Sequence, residues 1–105
     1  MYYITVMNRD LALSILRSLR PSLEVRGVAH AGVFGSVARG EARPASDVDV
    51  VITPTVGRRF DLFDLGAIQS LLEGEFRGVR IDLVAEPLAS PTLRTAVQRE
   101  RVNAF

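Results

Sequence analysis

Two aspartates lie inside the most strand-like segment of the chain. Asp47 and Asp49 alternate with Val48, Val50 and Ile52 in the stretch GVFGSVARGEARPASDVDVVI. Aspartate is depleted in strands, and successive side chains of a strand point to opposite faces. The two carboxylates therefore share one face, while the apolar side chains form the core face. Their Cα atoms are expected about 6.6 Å apart, so both carboxylates can reach one point.

A later segment repeats this alternation. Val79, Ile81 and Leu83 alternate with Arg80 and Asp82. If the two strands are neighbours, Asp82 joins the pair and three carboxylates share one face of a sheet. Two like charges 4 Å apart repel by about 4 kcal/mol near a protein surface, and a divalent cation removes this repulsion. A site made only of oxygen atoms suits magnesium or manganese.

The acid pair by itself is also compatible with a role unrelated to catalysis. A solvated acidic face, or charges that protect the edge of a sheet, stays open for Asp47 and Asp49. A calcium loop of the EF-hand type is excluded, because the valines and the isoleucine around the pair leave no glycine or further acid in register. A glycosidase pair is disfavoured, because two carboxylates side by side on one strand do not flank a bond.

A glycine–serine turn precedes the acids. Gly35 permits a tight exit from the preceding strand, and Ser36 offers its amide and hydroxyl at the start of a short helix, an arrangement that binds phosphate oxygens. Arg39 lies one turn further on and can reach the same anion. All 13 basic residues are arginine, which excludes a Walker-type lysine. A phosphate site beside carboxylates indicates a nucleoside triphosphate site of the two-metal kind.

The surrounding segments alternate between helix and strand. The first helix has Asn8 as its N-cap, a stripe of Leu11, Ile15, Leu16 and Leu19, and an end at Pro21. Three strands are predicted at 28–34, 47–52 and 79–84, with helices after Gly35, over 60–76 and from Ser90 to about Arg101. The expected fold is α/β (α+β), a small mixed sheet of three or more strands with helices packed mainly on one face.

Length and composition limit the classes of protein. At 105 residues, the chain is expected to form one domain over 1–105. The net charge of +1 gives no general attraction to nucleic acid, so direct nucleic-acid binding is not expected. No apolar run is long enough to span a membrane. The absence of cysteine suits the cytoplasm, which is the expected location.

These residues together resemble a known superfamily. Gly35-Ser36, ten further residues and then Asp47-Val48-Asp49-Val50 resemble the signature of the DNA polymerase beta-like nucleotidyltransferases, and Asp82 matches their third acid. The string FGSVARGEARPASDVD is similar to that of the minimal nucleotidyltransferases, prokaryotic single-domain proteins that are encoded beside a HEPN-domain partner and act as antitoxins. The resemblance covers roughly residues 28–100 and implies the polymerase beta-like fold.

The resemblance also implies roles for individual residues. Asp47 and Asp49 would bind two Mg²⁺ ions, with Mn²⁺ as an alternative, and Asp82 would hold the catalytic metal and help to deprotonate the acceptor hydroxyl. The triphosphate of ATP would be held by Gly35 and Ser36. Arg39 would help to bind the nucleotide, and Ser46 would either bind the nucleotide or have a structural role in the turn.

The function implied is transfer of AMP from ATP onto a hydroxyl of a partner protein, with release of pyrophosphate. Larger relatives bind the acceptor with a second domain, so the acceptor here is expected on a separate macromolecule. By resemblance, it is a tyrosine of a HEPN ribonuclease toxin, held in a heteromeric complex. Two alternatives stay open, a non-catalytic antitoxin that neutralises the toxin by binding and a small-molecule nucleotidyltransferase.

Overall fold

The structure is a computed structural model that describes residues 7–44 and 46–105. Its four strands form one mixed sheet in the order β3-β2-β1-β4, in which β1 is antiparallel to β2 and β4, and β2 is parallel to β3. The predicted α/β class and mixed sheet are confirmed. In chain order the elements are α1 (Arg9–Ser18), α2 (Arg20–Val25), β1 (Val28–Phe34), α3 (Gly35–Ala38), β2 (Val48–Pro54), α4 (Leu62–Glu75), β3 (Ile81–Ala85), α5 (Pro91–Glu100) and β4 (Val102–Asn103).

The main core lies on one face of the sheet. Val48, Val50 and Ile52 of β2 are completely buried there against apolar residues of α1, α2, α3 and α4. Because β2 and β3 run parallel, the chain between them must cross over the sheet, and α4 makes this crossing. Among the described residues, no helix has both the length and the apolar character needed to cross a bilayer.

A smaller core lies on the opposite face. Val97 of α5 packs there against Phe34 and Val51, both of which are buried. Val51 has the same strand parity as Asp47 and Asp49, so α5 covers part of the face that carries the acids. The prediction that helices lie mainly on one face is confirmed, with α5 on the other.

Two details of the first helix differ from the prediction. Asn8 is the N-cap as expected, and its side chain accepts a hydrogen bond from the amide of Leu11. Leu11 itself is exposed, because the helix turns Ala12, Leu13 and Leu16 toward the core. Pro21 does not end α1 but lies in the first turn of α2. Proline is tolerated there because N–H groups of the first turn make no hydrogen bond within the helix.

The boundaries of the other elements shift by a few residues. β2 begins one residue after Asp47 and continues to Pro54, while β3 begins at Ile81 rather than Val79. Asp61 caps α4, accepting hydrogen bonds from the amides of Phe63 and Asp64. Ser90 caps α5 as predicted, by accepting from the amide of Leu93.

The fourth strand was not predicted. Val102 and Asn103 pair with Val33 and Gly32 of β1. A Cβ atom on Gly32 would lie 2.7 Å from the carbonyl oxygen of Val102, so a side chain at this position would push β4 away. The close approach fixes the segment that follows α5, and therefore the position of the C-terminal end of α5.

Candidate active site

The register of the sheet brings two of the acids side by side. β2 lies between β1 and β3, and its Asp49 is paired with Asp82 of β3 on one side and Phe34 of β1 on the other. Neighbouring strands are about 4.8 Å apart, and paired residues point to the same face. The two strands are therefore neighbours, which the sequence left as a condition, and Asp82 lies beside Asp49.

Asp47 lies at the edge of this group. Because it precedes β2, the pleat of the strand does not fix the direction of its side chain. The residue is half-buried. Within residues 7–44 and 46–105, no three acidic or histidine side chains are already arranged as a set of metal ligands. The sheet thus brings the three aspartates to one region, where the carboxyls of Asp49 and Asp82 are in hydrogen-bond contact and the charge of Asp47 also reaches Asp49.

Asp49 is the most perturbed of the acids. Burial raises the pKa of its carboxyl to about 6, and the negative charges of Asp82, Asp47 and Glu100 act in the same direction. Asp49 is therefore still mostly ionised at neutral pH, but its ionisation costs more than that of a free aspartate, and a cation nearby would offset this cost. The donors around it are carboxylate oxygens, which are the ligands that Mg²⁺ and Mn²⁺ prefer. The residues present fit a hard divalent cation.

Gly35 lies directly against Asp49. β1 ends at Phe34, opposite Asp49, and the chain turns at Gly35 with φ of +73° into α3. A Cβ atom at Gly35 would overlap Oδ2 of Asp49. Both the backbone angle and the lack of space therefore require glycine. The turn sets a backbone amide beside the acid cluster, as a phosphate site needs.

Glu100 is a residue of this site that sequence reasoning missed. Its Oε2 accepts a hydrogen bond from the amide of Gly35 at 2.8 Å and lies 2.9 Å from Nη1 of Arg39. Glu100 is the last residue of α5, where the helix dipole disfavours a negative charge. That unfavourable position was the only signal in the sequence, and it does not indicate which residues the carboxylate meets.

Arg39 is shared between two glutamates. Its Nε donates to Oε2 of Glu41 at 3.0 Å, while its Nη1 pairs with Glu100. The hydrogen bond to Glu41 and the charges of both glutamates raise the pKa of the guanidinium. Arg39 thus lies at the turn, as predicted, but its Nε and Nη1 groups already contact carboxylates.

The two serines differ in position. Ser36 is half-buried in the first turn of α3, next to Gly35. Ser46 closes a small turn: its hydroxyl accepts from the amide of Arg43 at 2.8 Å, and its amide donates to the carbonyl of Arg43 at 2.9 Å. The structure therefore gives Ser46 a structural contact and places it next to Asp47. A cavity of about 170 Å³ opens there and is lined in part by Arg43 and Arg80.

Comparison with known proteins agrees with this geometry. The family model described as a nucleotidyltransferase domain matches residues 12–103. The protein adenylyltransferase MntA of Thermococcus cleftensis is 34% identical over 95 residues, which cover 85% of this chain and 88% of that protein.

Solved structures share the fold. One that is described provisionally as a minimal nucleotidyltransferase is 39% identical, with a TM-score of 0.66 and coverage of 91% of this chain and 95% of that one. A chain from the structure of the tri-AMPylated Shewanella oneidensis HEPN toxin in complex with MNT antitoxin aligns with a TM-score of 0.61, covering 89% of this chain and 71% of that chain. Its 16% identity supports the fold alone. The family match extends over nearly the whole chain and includes the paired acids of β2 and β3 and the glycine turn beside them. The chain therefore belongs to the nucleotidyltransferase domain family and is an enzyme of that class.

Proposed function

We propose that this protein transfers AMP from ATP onto a hydroxyl of a partner protein and depends on a divalent metal for the reaction. The observation that carries the proposal is the register that sets Asp49 beside Asp82, with Gly35 in direct contact with Asp49. The relative named a protein adenylyltransferase supports a protein as acceptor. The complex of an AMPylated HEPN toxin with an MNT antitoxin supports a tyrosine of a HEPN toxin as the acceptor, and an antitoxin role.

The proposed roles follow from position. Asp47, Asp49 and Asp82 would hold Mg²⁺ or Mn²⁺, and two ions are expected, which would neutralise charge on the phosphates when bound. Gly35 and Ser36 would bind the triphosphate by their backbone amides. The proposed setting is the cytoplasm, where ATP and magnesium are available, with residues 1–105 acting as one domain.

The chemical step can be stated in terms of atoms. The acceptor oxygen attacks the α-phosphorus of ATP, the bond from that phosphorus to the pyrophosphate oxygen breaks, and pyrophosphate leaves. The hydroxyl proton passes to the carboxylate of Asp82, which the sheet register holds beside Asp49. Each transfer consumes one ATP and adds one AMP to the acceptor.

The test separates catalysis from protection by binding alone. The proposed HEPN partner is incubated with Mg-ATP and about a tenth as much of this protein, and then weighed by mass spectrometry. Turnover at about 1 s⁻¹ would modify all of the partner within minutes. We expect one or more added AMP masses on a tyrosine and loss of ribonuclease activity.

Two variants complete this test. Asp49→Asn should bind the partner but fail to modify or silence it at this ratio, whereas Asp10→Asn, which changes an exposed acid of α1, should act as wild type. Equal protection by the Asp49 variant, without a mass change, would show that the protein works by occlusion. If a small hydroxyl compound is modified while the partner is not, the small-molecule alternative is correct.

A further inference from the structure

Glu100 occupies donors that a nucleotide phosphate needs. One oxygen of its carboxylate, Oε2, receives both the amide hydrogen of Gly35 and the Nη1 group of Arg39. Carboxylate and phosphate oxygens are equivalent acceptors for such donors, and the bonds are of the strong, charge-assisted kind. A backbone amide carries one hydrogen. A phosphate oxygen that takes the Gly35 amide must therefore displace Glu100.

Glu100 is held by these two contacts against an unfavourable field. Asp49 is in contact with Gly35, and its carboxyl is affected by the charge of Glu100 as well as by those of Asp82 and Asp47. The C-terminal end of α5 adds further negative potential. Arg39 is the positive partner, and it divides its guanidinium between Glu100 and Glu41. The carboxylate is therefore held by two contacts in a field that opposes its charge.

The geometry also allows the side chain to leave. Glu100 ends α5, and its side chain is 23% exposed, so it has a path to solvent. The backbone at this point is fixed independently, because the amide of Arg101 donates to the carbonyl of Val97 and β4 pairs with β1. Displacement needs only rotation of the side chain, which preserves the fold.

We propose that Glu100 is a specificity-determining residue that competes with phosphate for the Gly35 amide and Arg39. A ligand that brings a cation of its own displaces Glu100, because the cation neutralises the surrounding aspartates. Inorganic phosphate without metal does not, since it adds charge to a site that is already negative. The protein thereby selects a metal-bound triphosphate over free phosphate. This inference rests on the proposed function of the site.

The test is nucleotide binding, measured by calorimetry. Glu100→Gln keeps the shape of the side chain and removes its charge. The Gly35 amide and Arg39 are therefore free to bind phosphate for a larger fraction of the time. We expect Mg-ATP to bind about tenfold more tightly to the variant, and inorganic phosphate without metal to become measurable as a ligand. Glu41→Gln is the matched control, since Glu41 pairs with Arg39 but does not contact the amide of Gly35. It should change the Kd by less than about twofold.

The outcomes distinguish the two proposals. An equal or weaker Kd for Glu100→Gln, while wild type binds Mg-ATP, overturns the role of Glu100 and leaves the proposed function standing. If neither protein binds Mg-ATP, both proposals fall. A second measurement needs no variant: NMR of the wild-type protein with ¹³C-labelled glutamate carboxyls. Mg-ATP should move the Gly35 amide and the Glu100 carboxyl resonances together, and an unmoved Glu100 carboxyl would contradict displacement.

Discussion

The Cα atom of Gly35 faces the carboxylate of Asp49 so closely that a Cβ atom would overlap Oδ2. The first residue of the turn proposed to bind phosphate and the central acid of the sheet are thus fixed relative to each other by contact. Phe34, which pairs with Asp49 in the sheet, immediately precedes this turn. Glycine at this position therefore permits the backbone angle of the turn and also leaves room for the carboxylate of Asp49.

A pair of glycine substitutions separates these two requirements. Gly35 and Gly40 both have positive φ, +73° and +75°, but a Cβ atom at Gly40 would meet nothing within 4 Å. Gly40→Ala should lower the free energy of unfolding by about 1 kcal/mol, the backbone penalty alone. Gly35→Ala should cost at least about 1 kcal/mol more, because the new methyl group displaces Asp49. Denaturant unfolding of both variants measures the difference.

A double variant tests the cause of that difference. If the clash with Asp49 is responsible, Gly35→Ala combined with Asp49→Ala should recover most of the extra loss, leaving the backbone penalty. A fully additive double variant would place the effect elsewhere.

The Asp49→Asn variant should lose activity and gain stability. Removing a charged group that is proposed to bind the metal is expected to lower transfer at least about a hundredfold. The free energy of unfolding at pH 7 should rise by about 1–2 kcal/mol, since the raised pKa of Asp49 reflects a cost of ionisation that solvent partly screens. Thermal unfolding in the absence of metal is the measurement. Lower stability of the variant would mean that the ionised carboxylate stabilises the fold.

The same carboxyl predicts a dependence on pH. Its pKa is about 6 in the folded chain and near 3.8 when unperturbed, so the folded state binds the proton more tightly. The contribution of Asp49 to stability is therefore complete below 3.8 and is lost as the pH rises through about 6. Magnesium binding should change in the opposite sense and weaken as the pH falls below about 6, because the metal competes with the proton. Calorimetric titrations with Mg²⁺ at several pH values check this. In the Asp49→Asn variant, both the stability and the magnesium affinity should depend less on pH.

A polar network near the other end of β2 should matter for stability. Arg101 pairs with Glu86, and its Nη2 donates to Oγ1 of Thr53 at 3.0 Å, while Thr53 donates to Oε1 of Glu86 at 2.7 Å. Arg101→Ala should lower the free energy of unfolding by about 1–2 kcal/mol. Arg99→Ala, an exposed position of α5, is the control and should change it by less than about 0.5 kcal/mol. Chemical denaturation of both variants gives the comparison.

Glu86 gives this network a pH dependence of the opposite sign to that of Asp49. The hydrogen bond from Thr53 and the charge and hydrogen bond of Arg101 lower the pKa of Glu86 below 4.5. Its stabilising contribution is therefore present above 4.5 and is lost as the pH falls further. The difference in stability between wild type and Arg101→Ala should shrink in acid, and a constant difference would contradict the assigned ion pair.

The local features of the site can be read from the sequence. Alternation of apolar and acidic residues in 47–52 and 79–84 separates a core face from an acid face, because the side chains of a strand have a period of two. Short-range signals also identified the N-caps Asn8 and Ser90 and the turn at Gly35, since each depends on neighbours within a few residues. These features identified the candidate acids and the class of chemistry.

The tertiary structure decided the remaining features, because they depend on residues that are distant in the chain. Register alone pairs Asp49 with Asp82 across 33 positions of sequence and leaves Asp47 outside the strand. The two-residue β4 is too short for a periodic pattern, and forms because Gly32 lets its backbone approach. That packing in turn brings Glu100 to the amide of Gly35, 65 residues earlier. No local pattern encodes such a contact, because a side chain at the end of a helix finds its partner only after the helix is docked on the sheet.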